Sequence, residues 1–184
     1  MDSLSKPFHA FRAPLLALQA DGARVVTARR ARGARLPRAA AALDSSLWAL
    51  VLLRLGAGFR GMLGTSLGLS TLLRLGFHID VWSDAIGPGL RLPHPFNIII
   101  GEGVELGPAC TLLHGVTLQN GPGTRVGRGV FLANGVTVLA GSRIGDGSLV
   151  GAASVVRGEI PPASVAVGAP ARVVRATRPG EVAP

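Results

Sequence analysis

A parallel β-helix preceded by a short α-helical region is the fold this sequence predicts, and three observations predict it. Ten apolar residues stand at a six-residue interval: Ile100, Leu106, Leu112 and Leu118, then, after a two-residue slip, Val126, Leu132, Val138, Ile144, Val150 and Val156. Glycine or alanine often follows the leading aliphatic. The fifth place of each six carries a small or β-branched residue: Val104, Cys110, Val116, Val130, Val136, Ser142, Ser148 and Ser154. An α-helix, with its period of about 3.6 residues, fits neither the spacing nor the glycines. Short strands joined by tight corners fit both, three sixes to a triangular coil with the leading aliphatics stacked into one apolar column. Glycine supplies corner torsions that a side chain forbids.

The chain divides accordingly. Residues 1–44 read as a basic arm, helical or partly disordered, and in its first forty residues Lys6, Arg12, Arg24, Arg29, Arg30, Arg32, Arg35 and Arg38 face only Asp2 and Asp21. No aromatic residues are interleaved among these arginines to stack on bases, so the arm is read as a solvated face and no nucleic-acid partner is expected. Pro7, Pro14 and Pro37 break a continuous amphipathic helix, which argues against an organellar transit peptide.

Residues 45–78 read as a helical cap. Asp44 or Ser45 caps a first helix whose apolar face includes Leu47, Leu50, Val51 and Leu55, and a second helix runs from about Ser66 to Leu75 with Gly76 as its stop. Arg54, Arg60 and Arg74 interrupt any longer apolar run, which argues against a transmembrane segment. Helices this apolar need a cover. The open end of the solenoid and a neighbouring subunit are preferred to peripheral contact with a membrane, because an uncapped β-helix exposes a strand edge.

The solenoid itself is expected over residues 79–174, about five coils, with 175–184 as a tail. Its register extends upstream through Ile86, Leu92 and Ile98, with a two-residue insertion before Ile100. Cys110 is the sole cysteine, read as a packed core thiol, so no intrachain disulfide forms and a reducing cytoplasm is expected.

Two histidines occupy the same place in the repeat, His94 and His114, each third in its six. If the insertion bulges at a corner, the two imidazoles stack on one edge about one strand spacing of ~4.8 Å apart. Counting onward reaches Asn134 and then Ala152, so the edge reads His, His, Asn, Ala. Acyl transfer to a hydroxyl needs a base near neutral pH, which imidazole supplies, and donors for the developing oxyanion, which Gly/Ala corners offer as backbone N–H groups.

Three segments sharpen this reading: LRLPHPFNIIIGEGVELG, the HGVTLQNGPG that follows, and the closing IPPASVAVGAPARVV. They resemble the serine acetyltransferase branch of the hexapeptide-repeat acyltransferases, with HGVT also similar to polysaccharide O-acetyltransferases. The resemblance covers roughly residues 79–174. It implies a left-handed β-helix, a homotrimer or dimer of trimers, and acetyl-CoA as co-substrate with no bound cofactor. It makes His94 the catalytic base and Asp80 its orienting carboxylate, with Asp84 as the alternative. His114, Asn134 and Arg125 become candidates for the acceptor site or tunnel. Gly121, Asn134, Gly151, Ala152, Pro170 and Arg172 are implied to contact coenzyme A.

The substrate is less typical. Family members place an aspartate before the catalytic histidine, where this chain has Pro93, and QNGPGTRVG is too short for their loop ending in an Arg-His pair. The expected reaction is therefore O-acetyl transfer to a sugar or glycan precursor, with serine O-acetylation in cysteine biosynthesis as the alternative. The ending ATRPGEVAP lacks the family's terminal isoleucine, so no cysteine synthase complex is expected. Two other readings are a zinc hydratase, which would need histidines five apart that this chain does not offer, and a silent scaffold that binds no acetyl-CoA. No metal site is expected.

Overall fold

In a computed structural model of the protein, residues 6–31 and 44–182 are described. Arg32, Arg35, Arg38 and Pro37 of the basic arm lie outside the described residues. Helices α1 (Lys6–Ala31), α2 (Ser45–Leu63) and α3 (Leu69–Phe77) precede a parallel β-solenoid.

Each coil lays one strand on each of three faces. The first face stacks β1 (Ile79–Val81), β2 (Ile98–Ile100), β5 (Thr117–Leu118), β8 (Thr137–Val138) and β11 (Val155–Val156). The second stacks β3 (Glu105–Leu106), β6 (Arg125–Val126), β9 (Arg143–Ile144) and β12 (Glu159–Ile160). The third stacks β4 (Thr111–Leu112), β7 (Phe131–Leu132), β10 (Leu149–Val150), β13 (Ser164–Gly168) and β14 (Ala171–Ala176). All of these pairings are parallel except β13 with β14, which turns back to close the C-terminal end. Every leading aliphatic from Ile100 to Val156 is buried, as are all eight fifth-place residues.

The buried fifth-place hydroxyls also bind the corners. Ser142 Oγ donates to the Val156 carbonyl at 3.2 Å and accepts from the Gly158 N–H at 3.2 Å, while Ser148 Oγ donates to the Pro161 carbonyl at 2.8 Å. A small polar residue there fills the narrow interior and satisfies backbone groups that the tight corner leaves unpaired.

Close backbone approach explains one glycine in particular. A Cβ on Gly87 would stand 2.5 Å from the Pro108 nitrogen and 2.7 Å from the Gly107 carbonyl carbon, both main-chain atoms of the next coil. Gly87→Ala is expected to lower stability by about 1–3 kcal/mol through overpacking, read as a shift in urea midpoint without a change in slope.

The helical region departs from expectation in four ways. α1 is continuous through Pro14, because its buried stripe of Ala17, Asp21 and Val25 docks on the rest of the fold and outweighs the local loss of one helical hydrogen bond. Residues 6–31 of the arm are thus helical and docked, with Arg24 and Arg29 bound to the rest of the fold rather than simply solvated. In α2 Asp44 does cap, accepting from the Ser46 N–H at 2.8 Å, but the buried stripe is Ser46, Ala49, Leu50, Leu53 and Arg54, with Leu47, Val51 and Leu55 half-buried. The shift by one position places a charged residue in the core. α3 ends at His78, in the left-handed region with φ 54°, so Gly76 is inside the helix rather than its stop. Fourth, the extra residues of the first full coil are not between Ile98 and Ile100, which share β2; they bulge at the Pro93–Phe96 corner.

Arg54 and Asp21 join the cap to the solenoid. Arg54 Nε and Nη2 bind Asp21 at 2.8 and 3.2 Å, and its Nη1 and Nη2 donate to the Ile86 and Gly87 carbonyls at 2.8 and 2.7 Å. Asp21 accepts from the Leu90 N–H at 2.8 Å. Arg24 donates to the carbonyls of Gly89 and Cys110. These are backbone groups of the first coil and its corner, which no earlier coil covers, so the helices pack over this end of the solenoid. Among the described residues α2 alone has the length and apolar composition to cross a membrane, and here it packs on α1 and the first coil.

Candidate active site

The edge between the third and first faces gathers most of the expected residues. Strand register aligns Leu112 with Leu132 and Leu132 with Val150, so His114, Asn134 and Ala152 follow in successive coils. The Gly135 N–H donates to the His114 carbonyl at 3.0 Å, and the Ala153 N–H to the Asn134 carbonyl at 2.9 Å.

One coil earlier the Gly115 N–H donates to the Phe96 carbonyl, so Phe96, not His94, takes the stacked backbone position. The bulge nevertheless returns the imidazole to the edge: the His94 and His114 rings meet edge to face with centroids 6.1 Å apart. Both are exposed on the corner, whereas Pro95 beneath is buried and anchors the bulge. An exposed imidazole pair on a Gly/Ala-lined edge can take a proton from a bound hydroxyl.

Gly151 lies on the same edge, and a Cβ there would stand 2.7 Å from Val167 Cγ1, so a larger residue would displace that side chain of the terminal hairpin. Since Val150 pairs with Ala166, the Gly168–Pro170 turn ends the column, with Arg172 exposed on β14 just beyond it. Gly121 and Arg125 do not join them within a protomer. Gly121 belongs to the corner between the first and second faces, and Arg125 lies on the second face, paired with Glu105 at 3.0 Å. A count of sixes cannot show which face a side chain serves.

Asp80 sits on β1 opposite Ile99, and its carboxylate is bound by Arg74 at 2.7 and 2.9 Å. No hydrogen bond joins it to His94 among the described residues. Asp84 pairs with Arg60 at 3.0 Å and is exposed. Among the described residues no cluster of three His, Cys, Asp or Glu side chains stands where it would hold a metal ion.

Cys110 is buried, with its thiol donating to the Gly127 carbonyl at 3.1 Å. Burial pushes the thiol up to about 11. The thiolate is therefore scarce at neutral pH, and native protein is expected to resist iodoacetamide until it is unfolded. Since the unfolded thiol ionises first, stability contributed by this group declines as pH rises above its ordinary value, which alkaline urea titrations would register.

A cavity of about 330 Å³ adjoins His94 between α1, the start of α2 and the Pro93 corner. Sequence reasoning missed its arginines, Arg29 and Arg91, because they are 62 residues apart in numbering and only docking of α1 brings them together.

No family model matches the chain. The serine acetyltransferase of Helicobacter pylori strain J99 is 39% identical over 117 residues, covering 60% of this chain and 68% of that protein. Among solved structures, soybean serine acetyltransferase in complex with serine is similar with a TM-score of 0.68 at 28% identity, over 86% of this chain and 70% of that one. A serine acetyltransferase in complex with CoA is similar with a TM-score of 0.60 at 25% identity, over 88% and 68% respectively. With the six-residue repeat, the left-handed β-helix these relatives share and the histidine edge in place, the chain belongs to the serine acetyltransferase family, as an acetyl-CoA-dependent O-acetyltransferase.

Proposed function

We propose that this protein transfers the acetyl group of acetyl-CoA to the hydroxyl of L-serine, with His94 as general base. The acceptor preference drawn from Pro93 and the shortened loop, a sugar or glycan precursor, finds no support in the comparisons, whereas relatives named for serine do support the amino acid. The pairing of His94 with His114 on one edge carries the catalytic assignment.

In this mechanism the His94 imidazole takes the hydroxyl proton as the serine oxygen attacks the thioester carbonyl carbon. The tetrahedral oxyanion is met by corner N–H groups, the C–S bond breaks, and the imidazolium returns its proton to the departing thiolate. The products are O-acetylserine and free CoA. The pantetheine arm is assigned to the Asn134, Gly151 and Ala152 corners and the Pro170 turn, with Arg172 for a phosphate. Because the Gly121 corner and the Arg125 face lie away from the His94 edge, a trimer that sets them beside the next protomer's edge is part of this proposal.

Thiol release from acetyl-CoA, measured against L-serine, simple sugars and nucleotide sugars, tests it. Turnover with L-serine alone is the expected result. Turnover confined to a sugar would overturn the acceptor, and no turnover with no acetyl-CoA binding would leave a silent scaffold.

A further inference from the structure

We infer that Phe96, held against the His78 ring at the end of α3, is a positioning residue for His94: their contact pins the Pro93–Phe96 bulge, and the imidazole with it, on the edge. The inference rests on the reading of His94 as general base.

The bulge reads Pro93, His94, Pro95, Phe96. Proline rings fix φ at residues 93 and 95, and His94, which precedes a proline, is confined to extended backbone. The Phe96 N–H donates to the His94 carbonyl at 2.8 Å, closing a three-residue turn around Pro95. These four residues therefore move as one stiff unit, and the imidazole stands wherever that unit is anchored. Asp80 is bound to Arg74 and forms no hydrogen bond with His94 among the described residues, so placing the ring falls to the anchors of the bulge.

Pro95 is buried at the foot of the bulge, and the Pro93 carbonyl accepts a long bond of 3.5 Å from Ser46 Oγ. Phe96 holds on two sides. Its carbonyl accepts from the Gly115 N–H at 3.1 Å, toward the next coil. Its ring meets His78 with centroids 5.0 Å apart and planes tilted by 57°, toward α3. Beside it the Asn97 N–H donates to the Phe77 carbonyl at 3.0 Å. His78 and Asn97 stand at φ 54° and 53°, left-handed values that few residues other than glycine adopt. Such conformations persist where the surrounding structure over-determines them, and here two of them bracket one ring contact. His78 is exposed and Phe96 is 53% exposed, so the contact adds little to the core. What it does fix is the far end of the unit that carries the base.

Thiol release from acetyl-CoA with L-serine, measured on the full chain, tests the role. Phe96→Ala is expected to lower kcat roughly ten- to hundredfold, the range for a displacement of about 1 Å at a reacting group, with both KM values and the thermal midpoint near wild type. His78→Asn, which removes the ring but tolerates the left-handed backbone, is expected to lower kcat in the same way. Phe96→Tyr keeps the ring and is expected to restore turnover. On a His94→Ala background Phe96→Ala is expected to cost nothing further, because a residue acting through the imidazole has nothing left to place. Unchanged kcat in Phe96→Ala, or a further loss of equal size on the His94→Ala background, overturns the role. So does a raised serine KM with kcat kept, which would put Phe96 against the acceptor instead. Nuclear magnetic resonance of the His94 and His114 imidazoles needs no turnover and separates the two readings. Their signals are expected to shift in His78→Asn as the contact between these rings loosens, and unmoved signals overturn the positioning whatever the activity. Shifted signals together with full turnover in His94→Ala keep the anchored imidazole and remove the base.

Discussion

Asp21→Ala is expected to destabilise the protein by about 3–5 kcal/mol, because it strands Arg54 in the core without its counter-ion. Asp21 is fully buried and Arg54 is 4% exposed, so water cannot replace the lost partner. The same change removes the acceptor of the Leu90 N–H, which then lacks the bond that holds the first coil to α1. Asp21→Asn keeps that acceptor in shape and should cost less. Arg54→Leu removes the charge as well as the pairing, yet leaves the Ile86 and Gly87 carbonyls without their donor. The measurement is urea unfolding followed by circular dichroism, with a lowered midpoint expected in every variant. An Asp21→Ala protein within about 0.5 kcal/mol of wild type would show that the pair is not a clamp. Loss of the clamp also uncovers the strand edge of the first coil, so the weakened variants should aggregate more readily near their transition.

His94→Ala is expected to lower kcat roughly 10²–10⁴-fold, the usual contribution of a positioned general base. The side chain is exposed on its corner and forms no hydrogen bond among the described residues, so stability should remain within about 0.5 kcal/mol of wild type. That separation of activity from stability is what distinguishes a base from a packing residue. His114→Ala should cost less, since this ring only borders the first. Asp80→Asn decides what the carboxylate is for. A loss near that of His94→Ala means that Asp80 serves the imidazole during turnover; an effect on melting alone means that it serves Arg74, the partner it has here. A His94→Ala enzyme with full turnover would remove the residue from the chemistry.

Much of the solenoid is legible in sequence because a β-helix is locally periodic. Each six-residue unit sees the same surroundings as the next, so an aliphatic at Leu112 implies the same column as one at Leu132 or Val150, and the pairing register bears this out. The histidine edge is legible for the same reason, His114 and Asn134 being equivalent places in successive coils. His94 is the exception that shows the limit. Counting set it in the column by assuming a bulge, but only the fold shows that Phe96 takes the backbone position while the imidazole still reaches the edge.

The helical cap was less legible. Its apolar stripe misled by one position because Arg54 looks like a surface residue until Asp21, 33 residues away, is known to face it. The basic arm looked solvated because composition counts charges without their partners, and in α1 the partners are carbonyls of the first coil for Arg24 and the carboxylate of Asp44 for Arg29. By itself the sequence determined the parallel β-helix, its column of aliphatics, its small inward residues and the edge that bears the histidines, all of which follow from short-range repetition. Tertiary structure alone decided how α1 and α2 cap the first coil, that Asp80 meets Arg74, and that Arg29 and Arg91 border one cavity with His94, because long-range docking obeys no period in the chain.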